Sequence, residues 1–292
     1  LFIIPVPLFP LGAINYPIYR SIKKLCQLNY NITLICPEIS RNYQAELDAF
    51  QKIYSIKVLD RLKLGRRKGF LKHVKHILHN RNALKTFIEK SEISLIHCVN
   101  PPDLIPLIAS KLAFSKKIPF LFHIADPGPE SMAAIFYGFK KKLFVLLSSV
   151  IEKRVIDKSS GIITVNNFLK NQIIKTRYVS EHNFEVVYNI PDTKEVSSEE
   201  SKRINNSLIY IGTLHSVTGL DIFIENFKCL NNWKETTLFI VGDGPQKKDL
   251  KKICASFSLD KNILFTGHIE HQQAMQLLKS STLAIIPYIN NP

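Results

Sequence analysis

Hydrophobic and polar positions along this chain switch repeatedly between two periods. Short β-rich apolar runs predict strands over Leu1–Val6, Ile32–Cys36, Ile56–Leu59, Leu95–Cys98, Phe120–Ile124, Gly161–Val165 and Phe184–Tyr188. Longer stretches with helical spacing separate most of them, over Tyr16–Leu28, Gln44–Lys52, Lys72–Lys90, Leu104–Phe114, Ser131–Ile156 and Phe168–Lys175. Residues 191–206, PDTKEVSSEESKRINN, break the pattern: they are polar, open on proline and read as a linker. The alternation then restarts, with strands over Leu208–Ile211, Leu238–Val241, Ile263–Thr266 and Leu283–Pro287 and helices over Asp221–Leu230, Pro245–Phe257 and Gln272–Lys279.

Near-continuous apolar strands separated by helices predict parallel sheets covered on both faces. Right-handed crossovers align the carboxyl ends of such strands along one edge, where ligands bind. The expected architecture is α/β, with a first domain over residues 1–190, a linker over 191–206 and a second domain over 207–292. A cleft is expected between the facing strand ends of the two. The second domain has four predicted strands where a doubly wound unit carries about six. The chain also begins and ends next to strand-like runs, so the expectation is a fragment that lacks C-terminal sequence.

Composition narrows the function classes. Hydrophobic residues make up 46% of the 292, enough for sizeable cores. Five scattered cysteines, Cys26, Cys36, Cys98, Cys229 and Cys254, predict free thiols in a reducing compartment. No CxxC pair or histidine-rich cluster suggests a metal, so no metal and no bound cofactor are expected. No apolar run approaches the ~20 residues of a membrane span, and no signal peptide is visible, which points to a cytoplasmic protein.

The net charge is +15, and much of it lies between Lys57 and Lys90. A solvated face is one reading of that stretch. Attraction to anionic lipid headgroups, with the protein peripheral on the inner face of a membrane, is another, since Leu62, Leu64, Phe70 and Leu71 are interleaved with the cations. The chain carries no nucleic-acid signature beyond charge itself, so no nucleic-acid partner is expected.

Glycine turns follow several predicted strands, as they do where backbone N–H groups face a phosphate. Gly12 follows the first strand and is either a turn residue or a close approach to a sugar. Gly212 and Gly219 bracket the loop GTLHSVTG, Gly242 and Gly244 lie in VGDGP, and Gly267 follows the next strand. The loop 212–219 has no lysine or arginine, although the chain holds 39 of them.

The ordered run LIYIGTL, TGLDIFIENF, TLFIVGDGPQKKDL, ILFTGHI, LLKSSTLAIIPY resembles the C-terminal half of the retaining glycosyltransferase family 4, which has the GT-B fold. In the N-terminal half, GAINYPIYRSIKKLCQLNYNITLICPE, LIHCVNPPDLIPLIA, FHIADPGPES and VVYNIPDT are similar to successive family segments. The resemblance implies two Rossmann-like lobes, the second incomplete here. It implies sugar transfer, with retention, from a nucleotide diphosphate sugar to a hydroxyl on a glycan or lipid-linked acceptor, without a metal. The segment PGPESMAA resembles the fucosyl- and aminosugar-transferase-like subgroup of surface polysaccharide assembly.

By the same resemblance Gly212, Thr213, Thr218, Gly219, Gly242, Gly244 and Gly267 would face the donor, and Gly12, Asn100, Glu130 and Asn189 the acceptor. Asp126, His123 and His97 are the catalytic candidates. The sequence departs from the family pattern at three places. Thr213 and Thr218 stand where the family commonly has arginine and lysine on the diphosphate, and Ala125 stands where its histidine usually lies. His123, two residues earlier on the same strand face, is either its substitute or a core histidine. The family's E-x7-E segment is not in this sequence, so the fragment is expected to bind donor poorly and to be inactive. The alternatives are a catalytically degenerate GT-B homologue that serves as a binding subunit and, behind it, a nucleotide-sugar epimerase.

Overall fold

The computed structural model describes residues 1–4, 7–9, 15–37, 39, 41–54, 56–58, 81–100, 104–133, 138–190 and 202–289. Gly12 and residues 59–80 of the cationic stretch lie outside the described residues, as do 191–201 of the expected linker. The chain divides into two compact units, Leu1–Ile190 and Pro191–Pro292.

The first unit is built on strands β1 (Phe2–Ile3), β2 (Thr33–Ile35), β3 (Lys57–Val58), β4 (Ile96–Val99), β5 (Phe120–Ile124), β6 (Gly161–Thr164) and β7 (Phe184–Val186). They form one parallel sheet in the order β3-β2-β1-β4-β5-β6-β7, so the strand order reverses between β1 and β4. The period of two along each strand sends successive side chains to opposite faces. Phe2 and Ile4 join α1 (Asn15–Gln27) and α2 (Gln44–Tyr54) through Ile18, Ile22, Leu47 and Phe50. Ile3, Cys98 and Phe122 face the opposite way. They pack on the helical residues 81–90 (α3), on α4 (Ile105–Lys116) and on α7 (Asn167–Arg177), through Leu84, Ala109 and Ile173.

The single helix expected over 131–156 is two elements, α5 (Gly128–Ala133) and α6 (Gly138–Ile156). Only the C-terminal turn of α6 is firmly buried, at Glu152, Val155 and Ile156.

The second unit holds β8 (Ile204–Ile211), β9 (Thr237–Val241), β10 (Ile263–Gly267) and β11 (Ser281–Ala284), all parallel, in the order β10-β9-β8-β11. β8 begins inside the expected linker, because Ser207 bonds across to Thr282 on β11 and extends the ladder backwards. Helices α8 (Leu220–Glu225) and α9 (Lys247–Ser256) cover one face through Leu220, Ile224, Leu250 and Cys254, and α10 (His271–Ser280) covers the other through Ala274 and Leu277. α8 ends before Phe227 in a 3-10 turn, short of the expected Leu230.

All five cysteines are free thiols. Cys229, the last residue of that 3-10 turn, is exposed. Trp233 packs against the α8–α9 side of the sheet. Among the described residues no helix is long and apolar enough to cross a membrane.

Candidate functional site

In the second unit the three glycine turns follow three neighbouring strands, so the sheet order sets them side by side at one carboxyl edge. They are bonded to one another through main chain. The Gly212 N–H donates to Val241 O at 3.0 Å, the Leu214 N–H to Asp243 O at 3.0 Å, and the Gly242 N–H to Gly267 O at 2.9 Å. Gly242 has φ +130°, and a Cβ there would lie 2.0 Å from the Gly212 carbonyl oxygen. At Gly244 a Cβ would meet the Leu214 oxygen at 2.5 Å and its nitrogen at 2.6 Å. Backbone against backbone is the closest contact a protein makes, and any side chain prevents it.

Charge enters this edge from a helix, not from the loop. Lys247, the first residue of α9, places Nζ 2.7 Å from Asp243 Oδ2 and 3.4 Å from where a Gly267 Cβ would stand. The same carboxylate accepts the Gly244 N–H at 2.8 Å. The Lys247 hydrogen bond first, and the Gly244 N–H after it, hold the exposed Asp243 carboxyl below its ordinary pKa. An ammonium and a main-chain N–H converging on one carboxylate oxygen pair are the donors an anionic phosphate uses. The i,i+4 spacing of Asp243 and Lys247 was the signal in the sequence; that it lies over Gly267 was not readable there.

Thr213 is exposed, and its carbonyl accepts the Tyr210 hydroxyl at 3.0 Å. Thr218 differs from expectation. It is fully buried, and its hydroxyl donates to His215 O at 2.7 Å, so it is not offered to a donor. The segment after β11 causes this: Ile289 N–H bonds to Val217 O, and Pro287 O lies 2.1 Å from where a Gly219 Cβ would be. Gly219 is therefore enclosed as well.

In the first unit the carboxyl ends of β4 and β5 are tied by Asn100. Its Oδ1 accepts the Ala125 N–H at 3.0 Å, and its Nδ2 donates to Asp126 O at 2.9 Å and Asp126 Oδ1 at 3.1 Å. Asp126 is exposed just past β5. Asn100 thus holds Asp126 in place, with its side-chain amide engaged by this chain's own backbone. Asn189 is exposed beyond β7, and the next carbonyl, Ile190 O, accepts from Arg20 on α1.

The two histidines sit deeper than expected. His97 is the second of four residues in β4, not a strand end. Its ring stacks on Phe2 at 4.6 Å, and its Nε2 is 3.4 Å from His123 Nδ1. Burial, then the His123 charge, pushes His97 down to about 3, and burial pushes His123 down to about 4. Both are neutral in the interior, and His123 Nε2 is buried without a partner. His123 is the fourth of five residues in β5, and its carbonyl accepts the Asn100 N–H at 2.7 Å, three residues before Asp126.

Glu130 is caught in an ion cluster that sequence reasoning missed. Arg177, from the last turn of α7, donates Nη2 to both Glu130 oxygens at 2.9 and 2.8 Å and Nε to Glu152 Oε2 at 2.7 Å. Arg177 and Glu152 are buried. One guanidinium shared by two carboxylates cannot offset the desolvation of both. Burial therefore raises Glu152 to about 7, against the lowering pull of Arg177. The partners are 25 and 47 residues apart, a separation without a local sequence signal.

This makes a pH prediction. Glu152 holds its proton more tightly in the folded chain than in the unfolded one. Its stabilising contribution is complete below about pH 4.3 and is lost as the pH rises towards 7. Glu152→Gln should flatten that slope, which is of order 2 kcal/mol. Urea unfolding at pH 5 and pH 8 reads it; equal slopes in both proteins would contradict the assignment.

Comparisons with known proteins agree with this architecture. The family described as Glycosyltransferase Family 4 matches residues 18–195, and that described as Glycosyl transferases group 1 matches residues 192–292. An uncharacterized glycosyltransferase of Methanocaldococcus jannaschii is 26% identical over 191 residues, 62% of this chain and 47% of that protein. The chain thus spans about half or less of the length of the curated relatives it matches. Among solved structures, the lipopolysaccharide outer core galactosyltransferase WaaB in its apo form superposes with a TM-score of 0.64 at 15% identity, covering 98% of this chain and 73% of that one. Anabaena HepE in complex with UDP and glucose gives 0.66 at 14%, covering 97% and 72%. Those likenesses carry the fold, which is GT-B-like, and the family match extends over well over half of the residues. With its glycine turns in register at one sheet edge, the chain belongs to Glycosyltransferase Family 4.

Proposed function

We propose that the protein transfers a sugar from a nucleotide diphosphate sugar to an acceptor hydroxyl with retention, in the synthesis of a cell-surface polysaccharide or glycolipid. The observation that carries this reading is the edge formed by Gly212, Gly242, Gly244 and Gly267, with Lys247 over it. Turns without side chains leave that edge open to close approach, and the Lys247 ammonium, exchanging the exposed Asp243 for the ligand, suits a leaving diphosphate whose negative charge grows in the transition state. The neighbour HepE was solved with UDP and glucose, which supports a uridine nucleotide as the first donor to try. Exposed Asp126, held by the acceptor-side candidate Asn100, is the catalytic carboxylate in this reading. His97 and His123 are packing residues in this reading.

A panel of UDP-, GDP- and dTDP-sugars offered to the full-length protein, read by calorimetry and by release of nucleoside diphosphate, tests the proposal. Binding without turnover on any acceptor would favour the degenerate homologue. Lys247→Ala should weaken nucleotide binding about tenfold, the loss expected for one charge-assisted hydrogen bond. Undiminished affinity in that variant would move the diphosphate away from α9.

A further inference from the structure

Helix α6 carries an apolar stripe that none of the described residues covers. Phe139, Leu143, Leu146, Leu147 and Val150 are all exposed, with Phe139 at 77%, Leu146 at 62% and Leu147 at 57%. At about 100° per residue they fall within one sector about 100° wide. The buried residues Glu152, Val155 and Ile156 fall on the other side of the helix. The sequence GFKKKLFVLLSSVIEKRVI is therefore apolar on two faces, one for the core and one left to the outside.

Charge says what the outer face fits. Lys140 and Lys142 flank the stripe on either side at its N-terminal end, and Arg154 continues it at the other; all three are exposed. No ion pair among the described residues engages them. The single acid of α6, Glu152, is buried on Arg177. An apolar stripe bordered by cations, on a chain of net charge +15, matches the layered chemistry of an anionic bilayer surface. A second copy fits poorly, because a parallel twofold contact through this stripe would bring two lysine triplets together and an antiparallel one would set each triplet beside Arg154 of the other copy.

We propose that the outer face of α6 docks this protein on an anionic lipid surface, its apolar residues at the level of the acyl boundary and Lys140, Lys142 and Arg154 among the headgroups. The inference uses α6 alone and does not depend on the donor site. Co-sedimentation of the full-length protein with phosphatidylcholine vesicles, with and without about 30 mol% phosphatidylglycerol, tests it. Wild-type protein should bind only the anionic vesicles and dissociate as salt is raised. Leu146→Asp with Leu147→Asp should reduce binding at least tenfold, and Lys140→Glu with Lys142→Glu should do the same. Thermal melts check that each variant stays folded, which exposed positions permit.

Equal binding by wild type and the Leu146/Leu147 variant would overturn the proposal. So would binding indifferent to lipid charge. Loss only in Arg66→Glu with Arg67→Glu would assign the attachment to the stretch 57–90 instead. A concentration-dependent dimer that the Leu146/Leu147 variant abolishes would make the occupant a second copy.

Discussion

Gly242→Ala is expected to destabilise the second unit by about 4 kcal/mol. Two terms add. A residue with a side chain held in an unfavourable backbone region costs about 1–3 kcal/mol. Gly242 has φ +130°, which glycine alone adopts without strain. Forcing an extra carbon into a close-packed place costs roughly another 1–3 kcal/mol. The Cβ would land 2.0 Å from the Gly212 oxygen, so the turn after β8 must move. That turn is bonded to the one after β9, and that one to the turn after β10, so the shift spreads along the edge. Urea unfolding of the wild type and variant, followed by far-UV circular dichroism, measures the loss. A change below about 1 kcal/mol would mean that the turns do not interlock as described.

Arg177→Leu should cost about 3–5 kcal/mol at pH 8, the usual result of removing one partner from a buried ion cluster. Glu130 and Glu152 would be left with no cation between them. The sign with pH is that of an ordinary salt bridge, whose loss costs less once acid has protonated the carboxylate, but the change should fall near pH 7, where Glu152 titrates. At pH 5 the buried Glu152 carboxyl is largely protonated, so the variant's deficit should shrink. Because Glu130 belongs to α5 and Asp126 lies just before that helix, the same variant should disturb the acceptor-side edge. A deficit equal at pH 5 and pH 8 would show that Arg177 acts through packing and not through charge. In the double variant with Glu152→Gln the pH dependence should largely vanish.

The order of elements was legible in the chain. The eleven strands among the described residues each overlap a predicted apolar β-rich run, because burial on both faces leaves a local signature, although β11 starts two residues before its run. The family was legible for the same reason: its glycine turns are local words following those strands. The boundary near residue 190 was legible from polarity and proline, although β8 starts earlier than composition suggests.

What the sequence left undecided was which way several residues face after the chain returns on itself. Thr218 looked like a loop hydroxyl open to a ligand, and the segment through Pro287 encloses it. His97 looked like a catalytic candidate, and the strands on either side of β4 set it inside the sheet. The cationic question raised by loop 212–219 also had a nonlocal answer. Lys247 comes from a helix after a different strand, and only the sheet order places it over Gly267.

The sequence by itself determined the elements, their parallel arrangement, the two units and the glycine turns at strand ends. These follow from the periodicity of burial and from backbone conformations available to few residues, both of which are properties of neighbours along the chain. Tertiary structure alone decided the Glu130–Arg177–Glu152 cluster, the Lys247 position, the depth of the histidines and the uncovered face of α6. Those depend on distances between residues tens of positions apart, where desolvation and charge act through space and leave no periodic trace in the order of amino acids.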